Sequence, residues 1–199
     1  MCIRDSSVER GSGKPAAYVW RATGQAYQKD KVQPFNKSKD IRVIVWASIY
    51  SNYKTKLIVM RRDMESKRQG YSANSYIDAL TMGLLPMYHK DLLFQQDNAG
   101  IHTARKTAAF FRKEGIKLVE DWPAYSPDLN PIEHVWAMLK KQLFQLYPGM
   151  DLWSGGNDFV HERMEDALVH AWDHISSNAV YNCVVSMVDR IQACLQNDG

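Results

Sequence analysis

Prolines at 123, 127 and 131 stand four residues apart in the stretch Trp122-Pro123-Ala124-Tyr125-Ser126-Pro127-Asp128-Leu129-Asn130-Pro131-Ile132-Glu133. Each fixes its own backbone angle and biases the residue before it away from helix, so the whole stretch is a stiff connector. Ile116 to Trp122 before it reads as a strand. After it, Val135, Trp136, Leu139, Leu143 and Leu146 recur at helical spacing until Pro148-Gly149. The connector therefore feeds a strand into a helix and delivers Glu133 into the first helical turn. Its residues all have structural uses. Asn130 suits the helix cap, Pro131 the first helical position and Glu133 the third, where it would close an Asn-x-x-Glu capping box. Ser126-Pro127-Asp128 reads as a turn. The rigidity asks for more than turn chemistry, because a carboxylate held in place rather than left to sample space suits a ligand.

The rest of the chain supplies the elements around it. Ala17–Trp20, Ile41–Tyr50 and Lys56–Met60 read as strands, with a polar loop over 24–40 and a hairpin turn at Ser51–Lys54. From Ser72 the period becomes helical through Ile77, Leu80, Leu84 and Leu85, and Pro86 limits it. Leu92–Gln96 is a short buried strand that ends in Asp97-Asn98-Ala99-Gly100. A helix is expected from about His102-Thr103 to Gly115, and two more over 159–176 and 179–196 after a loop at 150–158. Early antiparallel strands followed by alternating strands and helices define an α/β domain with extra C-terminal helices. There is no internal repeat.

Composition narrows the function. With 45% hydrophobic and 24% charged residues, the 199-residue chain has the balance of one globular domain, burying roughly 70% of its unfolded surface. It has no apolar run long enough for a membrane span and no signal-peptide pattern, so a soluble, intracellular protein is expected. Cys2, Cys183 and Cys194 form neither a Cys-x-x-Cys pair nor an even set, which argues against zinc and disulfides. The net charge of +3 permits nucleic-acid binding without demonstrating it.

Asp97 stands directly after an apolar strand, where open α/β sheets gather their chemistry, although Asp-Asn-Ala-Gly is also good turn chemistry. No competing centre appears. Gly11-Ser12-Gly13-Lys14 is too short for a phosphate loop, there is no nucleophile elbow, and His170 and His174 lack a third ligand. What remains is a set of hard carboxylate oxygens that would favour Mg²⁺ or Mn²⁺.

Gln96-Asp97-Asn98-Ala99-Gly100-Ile101-His102-Thr103-Ala104, together with Asp121 to Trp136, resembles the catalytic domain of Tc1/mariner-type transposases, members of the DDE superfamily with an RNase H-like fold. Val45-Trp46-Ala47-Ser48-Ile49 resembles the same family's tryptophan-bearing strand. Ser7-Val8-Glu9-Arg10-Gly11 and Ser186–Cys194 look most like fungal members. The resemblance runs from about residue 7 to 196. It implies one domain, with an RNase H-like mixed-sheet core over about 7–149 and a helical extension over 150–199, and it finds no upstream helix-turn-helix DNA-binding region here.

The resemblance further implies metal-dependent cutting and strand transfer of DNA, with two Mg²⁺ or Mn²⁺ ions held by three acids. The second acid maps onto Asp97 and the third onto Glu133, with residues 98–132 between them. Lining up on Ser7 places Arg4 where the family's first catalytic Asp belongs and Asp5 where its neighbouring Glu belongs, so Asp5 is the candidate for the first acid. His102, Arg105, Lys106 and Lys140 are candidate DNA contacts. Transposon ends and target DNA are the implied partners, a dimer on paired ends the implied assembly, and the nucleus the implied compartment. An inactive or domesticated relic that keeps the fold and DNA binding is the alternative, and a nuclease of the same fold without strand transfer a weaker one.

Overall fold

The computed structural model describes residues 2–9, 41–123 and 126–197, and in the first of these the backbone together with the Val8 side chain. The strand expected at 17–20 and the loop at 24–40 lie outside these residues.

Strand β2 (Arg42–Tyr50) organises the molecule. Val43, Val45, Ala47 and Ile49 enter one hydrophobic cluster, while Ile44 and Trp46 on the alternate positions enter another. A strand covered on both faces needs a near-continuous apolar run, which is what Val43 to Ala47 supplies. Strand β1 (Cys2–Glu9), which the sequence reading did not anticipate, pairs antiparallel with β2 from Cys2 opposite Ile49 to Glu9 opposite Arg42. Strand β3 (Tyr53–Lys54) returns across the expected turn, where Ser51 has φ 52°, and β4 (Ile58–Val59) also pairs with β2. Strands β5 (Leu93–Phe94) and β6 (Lys117–Leu118) form a parallel pair, both shorter than expected.

Helix α1 (Ala73–Ala79) starts at Ser72 with a capping box. The Ser72 hydroxyl accepts the Asn74 amide, and Ser75 Oγ accepts the Ser72 amide. The helix runs on into a widened turn at Leu80–Leu84 and a tight one at Leu85–Met87, where Pro86 stops it. Gly83 in the widened turn faces the Trp46 indole, and a Cβ there would lie 2.2 Å from Trp46 Cζ3, so the close approach requires glycine. Helix α2 (Arg105–Glu114) begins later than the expected His102-Thr103, because both of their amides first close turns onto the Ala99 carbonyl. It ends at Gly115, in the left-handed conformation with φ 69°.

Helices α3 (Ile132–Leu146), α4 (Asn157–Asp173) and α5 (Ser177–Gln196) cover the first face. Trp136 and Trp172 meet there with ring centroids 5.4 Å apart, and Trp172 Nε1 donates to the Thr55 carbonyl at 2.8 Å. The C-terminal helices thus share one core with β2 and α3, through Met164, Leu168, Trp172, Val180 and Cys183. Helices α1 and α2 with β5 cover the second face through Tyr76, Leu80, Leu84, Phe94 and Phe111. Among the described residues, no helix is long and apolar enough to cross a membrane.

Candidate metal centre

Asp97 follows β5, whose Phe94 is buried in the second cluster, and the next residue, Gln95, is buried as well. One carboxylate oxygen, Oδ1, accepts the Ala99 amide at 3.1 Å and lies 2.5 Å from Nδ1 of His102. An ionised carboxylate can only accept, so Nδ1 carries the proton and donates. The His102 side chain has no solvent exposure, while that of Asp97 keeps 29%. Below them the Tyr76 ring packs 4.2 Å from the imidazole, Tyr76 donates to Gln96 Oε1 at 2.8 Å, and Gln96 Nε2 donates to the His102 carbonyl at 3.4 Å. Turn chemistry and a partly exposed acid therefore coexist at Asp97, since the oxygen that builds the loop also fixes the carboxylate. This revises the role expected of His102. Its side chain is buried under Asp97, so it holds the acid in place of a DNA contact. Tyr76 carries no sequence signal that ties it to Asp97, and Gln96 stands out in the sequence only as the neighbour of Asp97 at the strand end.

The connector to Glu133 is tied to the same loop. Asn98 Nδ2 donates to the Trp122 carbonyl at 3.4 Å, next to Asp121, which is held at φ 51°. Pro127–Leu129 forms a tight turn closed by the Asn130 amide on the Pro127 carbonyl at 3.1 Å. Buried Asn130 then accepts the Ile132 amide on Oδ1 at 3.4 Å and the Glu133 amide on its carbonyl at 3.1 Å. The expected box is shifted. The helix starts at Ile132 with Pro131 in the cap position, so Glu133 is its second residue, and Asn130 serves the amide of Ile132. Ile132, wholly buried, and Val135 anchor this turn in the first cluster while Glu133 stays half-buried.

The register of β1 distinguishes the two candidate positions, 4 and 5. Arg4 pairs with Ala47 and Asp5 with Trp46. Ala47 belongs to the cluster that contains α3, and Trp46 to the opposite one. Helix α3, which carries Glu133, packs on β1. Val8, the one described side chain of β1, lies in the α3 cluster, and position 4 has its parity on the strand whereas position 5 does not. Among the described residues, no group of three or more His, Cys, Asp and Glu forms a cluster that could hold a metal, and the Asp5 side chain is not among them.

Arg105 and Lys106 are exposed in the first turn of α2, a helix start with no side-chain cap. Lys106 Nζ is hydrogen-bonded to Asn74 Oδ1. Lys140 is half-buried on α3, some two turns after Glu133. Beside the Asp97 loop a cleft of about 400 Å³ opens between Asn98, Thr103, Leu118, Asp121 and Trp122.

Helices on both faces of an antiparallel four-stranded sheet, a separate parallel pair of strands that leads into Asp97, and a helix that opens on Glu133 make this an α/β domain. Residues 5–149 match the model of the DDE superfamily endonuclease family, and the chain belongs to that family. It is similar to the Tc3 transposase of Caenorhabditis elegans, 35% identical over 113 residues, covering 55% of this chain and 31% of that protein. It is also similar to the Tc1 transposase of the same organism, 28% identical over 183 residues, covering 92% of this chain and 62% of that protein. The chain thus spans less than two thirds of either relative. Among solved structures it resembles the Mos1 transposase paired-end complex with left transposon end, at a TM-score of 0.66 and 15% identity over 99% of this chain and 54% of that one. The Mos1 catalytic domain solved with raltegravir and Mg has a TM-score of 0.54 at 17% identity, over 79% of this chain and 76% of that one. The likeness is one of fold, and it bears out the RNase H-like arrangement expected from the sequence.

Proposed function

We propose that this chain is the catalytic domain of a Tc1/mariner-type transposase, cutting DNA at transposon ends and joining the cut strands to a target. The observation that carries the reading is a pair of partly exposed acids within the matched residues 5–149: Asp97, whose carboxylate is fixed by His102, and Glu133, whose helix turn is seated by Asn130 and buried Ile132. Partly exposed carboxylate oxygens, with no thiolate in the set, fit a hard divalent ion such as Mg²⁺ or Mn²⁺. Such ions, when bound in a pair, supply activation of water or a 3′-hydroxyl and stabilisation of the leaving oxygen. The chain's own contribution is positioning. His102 Nδ1–H fixes the orientation of the Asp97 carboxylate, and buried Ile132 and Asn130 fix the turn that presents Glu133. The uncapped start of α2, with Arg105 and Lys106, adds a positive end suited to a DNA phosphate close to the Asp97 loop. Transposon ends and target DNA as partners, a dimer across paired ends, and action in the nucleus all belong to this reading. In this reading Asp5 is the weakest member of the proposed triad, because position 4 and not position 5 shares the strand parity of Val8, which lies in the α3 cluster.

The test is nicking of a supercoiled plasmid by the chain with Mn²⁺, alongside Asp97→Ala, Glu133→Ala and Arg4→Asp. The expected result is Mn²⁺-dependent nicking that falls on the order of a hundredfold or more in either alanine variant. Arg4→Asp is expected to raise it, and Asp5→Asn to change it less than either alanine substitution. Nicking that survives both alanine substitutions overturns the site, and DNA binding without nicking in every variant, including Arg4→Asp, favours the inactive relic.

A further inference from the structure

Arg190 lies on the outer half of α5, beyond the residues that match the family model. Its guanidinium is held by its own helix: Nη2 donates to the Cys183 carbonyl at 2.8 Å and to Ser186 Oγ at 2.9 Å, and Nε donates to the Ser186 carbonyl at 3.3 Å. From that fixed platform Nη1 reaches 62 residues back along the chain and donates to the Asp128 carbonyl at 2.5 Å. All four acceptors are neutral. A planar fork that grips two backbone carbonyls and a hydroxyl of one helix, with one donor left for a distant loop, is a geometric device, and a flexible ammonium would not reproduce it. The gripped carbonyl sits in the middle of the Pro127–Leu129 turn. From there to Glu133 the chain has little freedom: the Asn130 amide is bonded back to Pro127, Pro131 is fixed, and Ile132 is wholly buried. A displacement at Asp128 is therefore passed on to Glu133 rather than absorbed between them.

We infer that Arg190 is a positioning residue for Glu133, and that the outer half of α5, past Cys183, is for this reason part of the machinery of the metal centre. The inference rests on the reading of Glu133 as a metal ligand. Helix α5 is anchored through Val180 and Cys183 in the first cluster. Past Cys183 its Val188, Ile191 and Leu195 are exposed, and the Arg190 clamp is a hydrogen-bonded link from the outer half of the helix to the connector.

The experiment is a Mn²⁺ titration of the whole chain by electron paramagnetic resonance, paired with amide hydrogen exchange over 126–133. The variants are Arg190→Ala, Arg190→Lys, Glu133→Gln and Val180→Ala, the last a core truncation on the same helix that serves as a stability-matched control. Arg190→Ala is expected to weaken Mn²⁺ binding on the order of tenfold, as loss of a group supporting a metal ligand does, and to speed exchange at the Asn130, Ile132 and Glu133 amides. Arg190→Lys keeps the charge but not the fork, and is expected to recover only part of both; it also serves as the folded comparison if the alanine variant is unstable. Val180→Ala should lower the melting temperature as much or more with Mn²⁺ affinity unchanged. Unchanged exchange at those three amides in Arg190→Ala, or a Mn²⁺ loss no larger than that of Val180→Ala, overturns the inference while leaving the site intact. If Glu133→Gln binds Mn²⁺ like the unmodified chain, the site reading fails, and a role for Arg190 in metal binding fails with it.

Discussion

On one face of β2, Val43, Val45, Ala47 and Ile49 meet three long helices in a core whose largest members are Trp136 and Trp172. On the other face, Ile44 and Trp46 meet a short helix, a widened turn and a two-residue strand, and polar groups intrude: the Tyr76 hydroxyl, Gln96 and the buried imidazole of His102. Glu133 belongs to the first side, because its helix is rooted by Ile132 and Val135 in the large core. Asp97 belongs to the second, because it follows β5 and leans on His102. The two acids are thus supported by different layers, one by apolar bulk and the other by hydrogen bonds. Apolar packing sets how firmly a helix is seated, whereas directional bonds set where a carboxylate oxygen points. Stability and acid geometry are therefore separable by mutation, more so on the second side than on the first.

The largest effect is expected from breaking the apolar side. Trp172→Ala removes a fully buried indole, its packing on Trp136 and its hydrogen bond to the Thr55 carbonyl, and should cost about 3–5 kcal/mol of stability, read as a fall in urea midpoint. Amide exchange in residues 97–104 should stay close to that of the unmodified chain under conditions where both remain folded. Equal acceleration there and in α3 would show the two layers to be one cooperative unit.

A smaller but more local effect is expected on the polar side. His102→Ala deletes the donor that fixes Asp97 Oδ1, and should lower Mn²⁺-dependent nicking about 10–100-fold, the usual range for a group that orients a ligand. It should also cost about 1–3 kcal/mol, since a buried bond is lost. His102→Asn, whose amide can stand where Nδ1–H stands, should recover part of the nicking. If asparagine recovers stability without nicking, His102 fills space and does not position the acid.

Much of this division was legible in the sequence, and the parts that were not have a common cause. The apolar side was readable because Val135, Trp136, Leu139 and Leu143 repeat at the helical period, a local signal that needs no partner. Asp97 and Glu133 were readable from a strand end and a proline-stiffened helix start, again local. Strand β1 was missed because Ile3 and Val8 are its only strong strand formers between Cys2 and Glu9. Its pairing with β2 is a contact across more than thirty residues of chain, which no window contains. The burial of His102 was not legible, because it depends on Tyr76 arriving from α1. The Arg190 clamp was invisible for the same reason, joining residues 62 apart.

The smallest effect concerns the start of α1, at the rim of the polar side. Asp63 accepts the Ser72 hydroxyl at 2.5 Å, the Asn74 amide side chain at 2.8 Å, and the Glu65 and Ser66 backbone amides at 3.1 and 3.2 Å. These bonds favour the ionised form, the Ser72 bond most, and hold its carboxyl below the ordinary value of 3.8. A depressed carboxyl contributes stability that is present above the ordinary value and is lost as pH falls through the folded one. Because Asp63 is only half-buried and its partners all lie within residues 65–74, that contribution is local. The Glu65, Ser66 and Asn74 resonances should therefore titrate together in nuclear magnetic resonance with a midpoint below 3.8, and Asp63→Asn should remove the transition without lowering the melting temperature at neutral pH by more than a degree or two. Asn74 is also the partner of Lys106, so the Lys106 ammonium should gain mobility through the same transition. A midpoint at or above 3.8 would mean that the bonds around Asp63 do not persist in solution. The polar side would then be held by its buried bonds alone, those of Tyr76, Gln96 and His102 beneath Asp97.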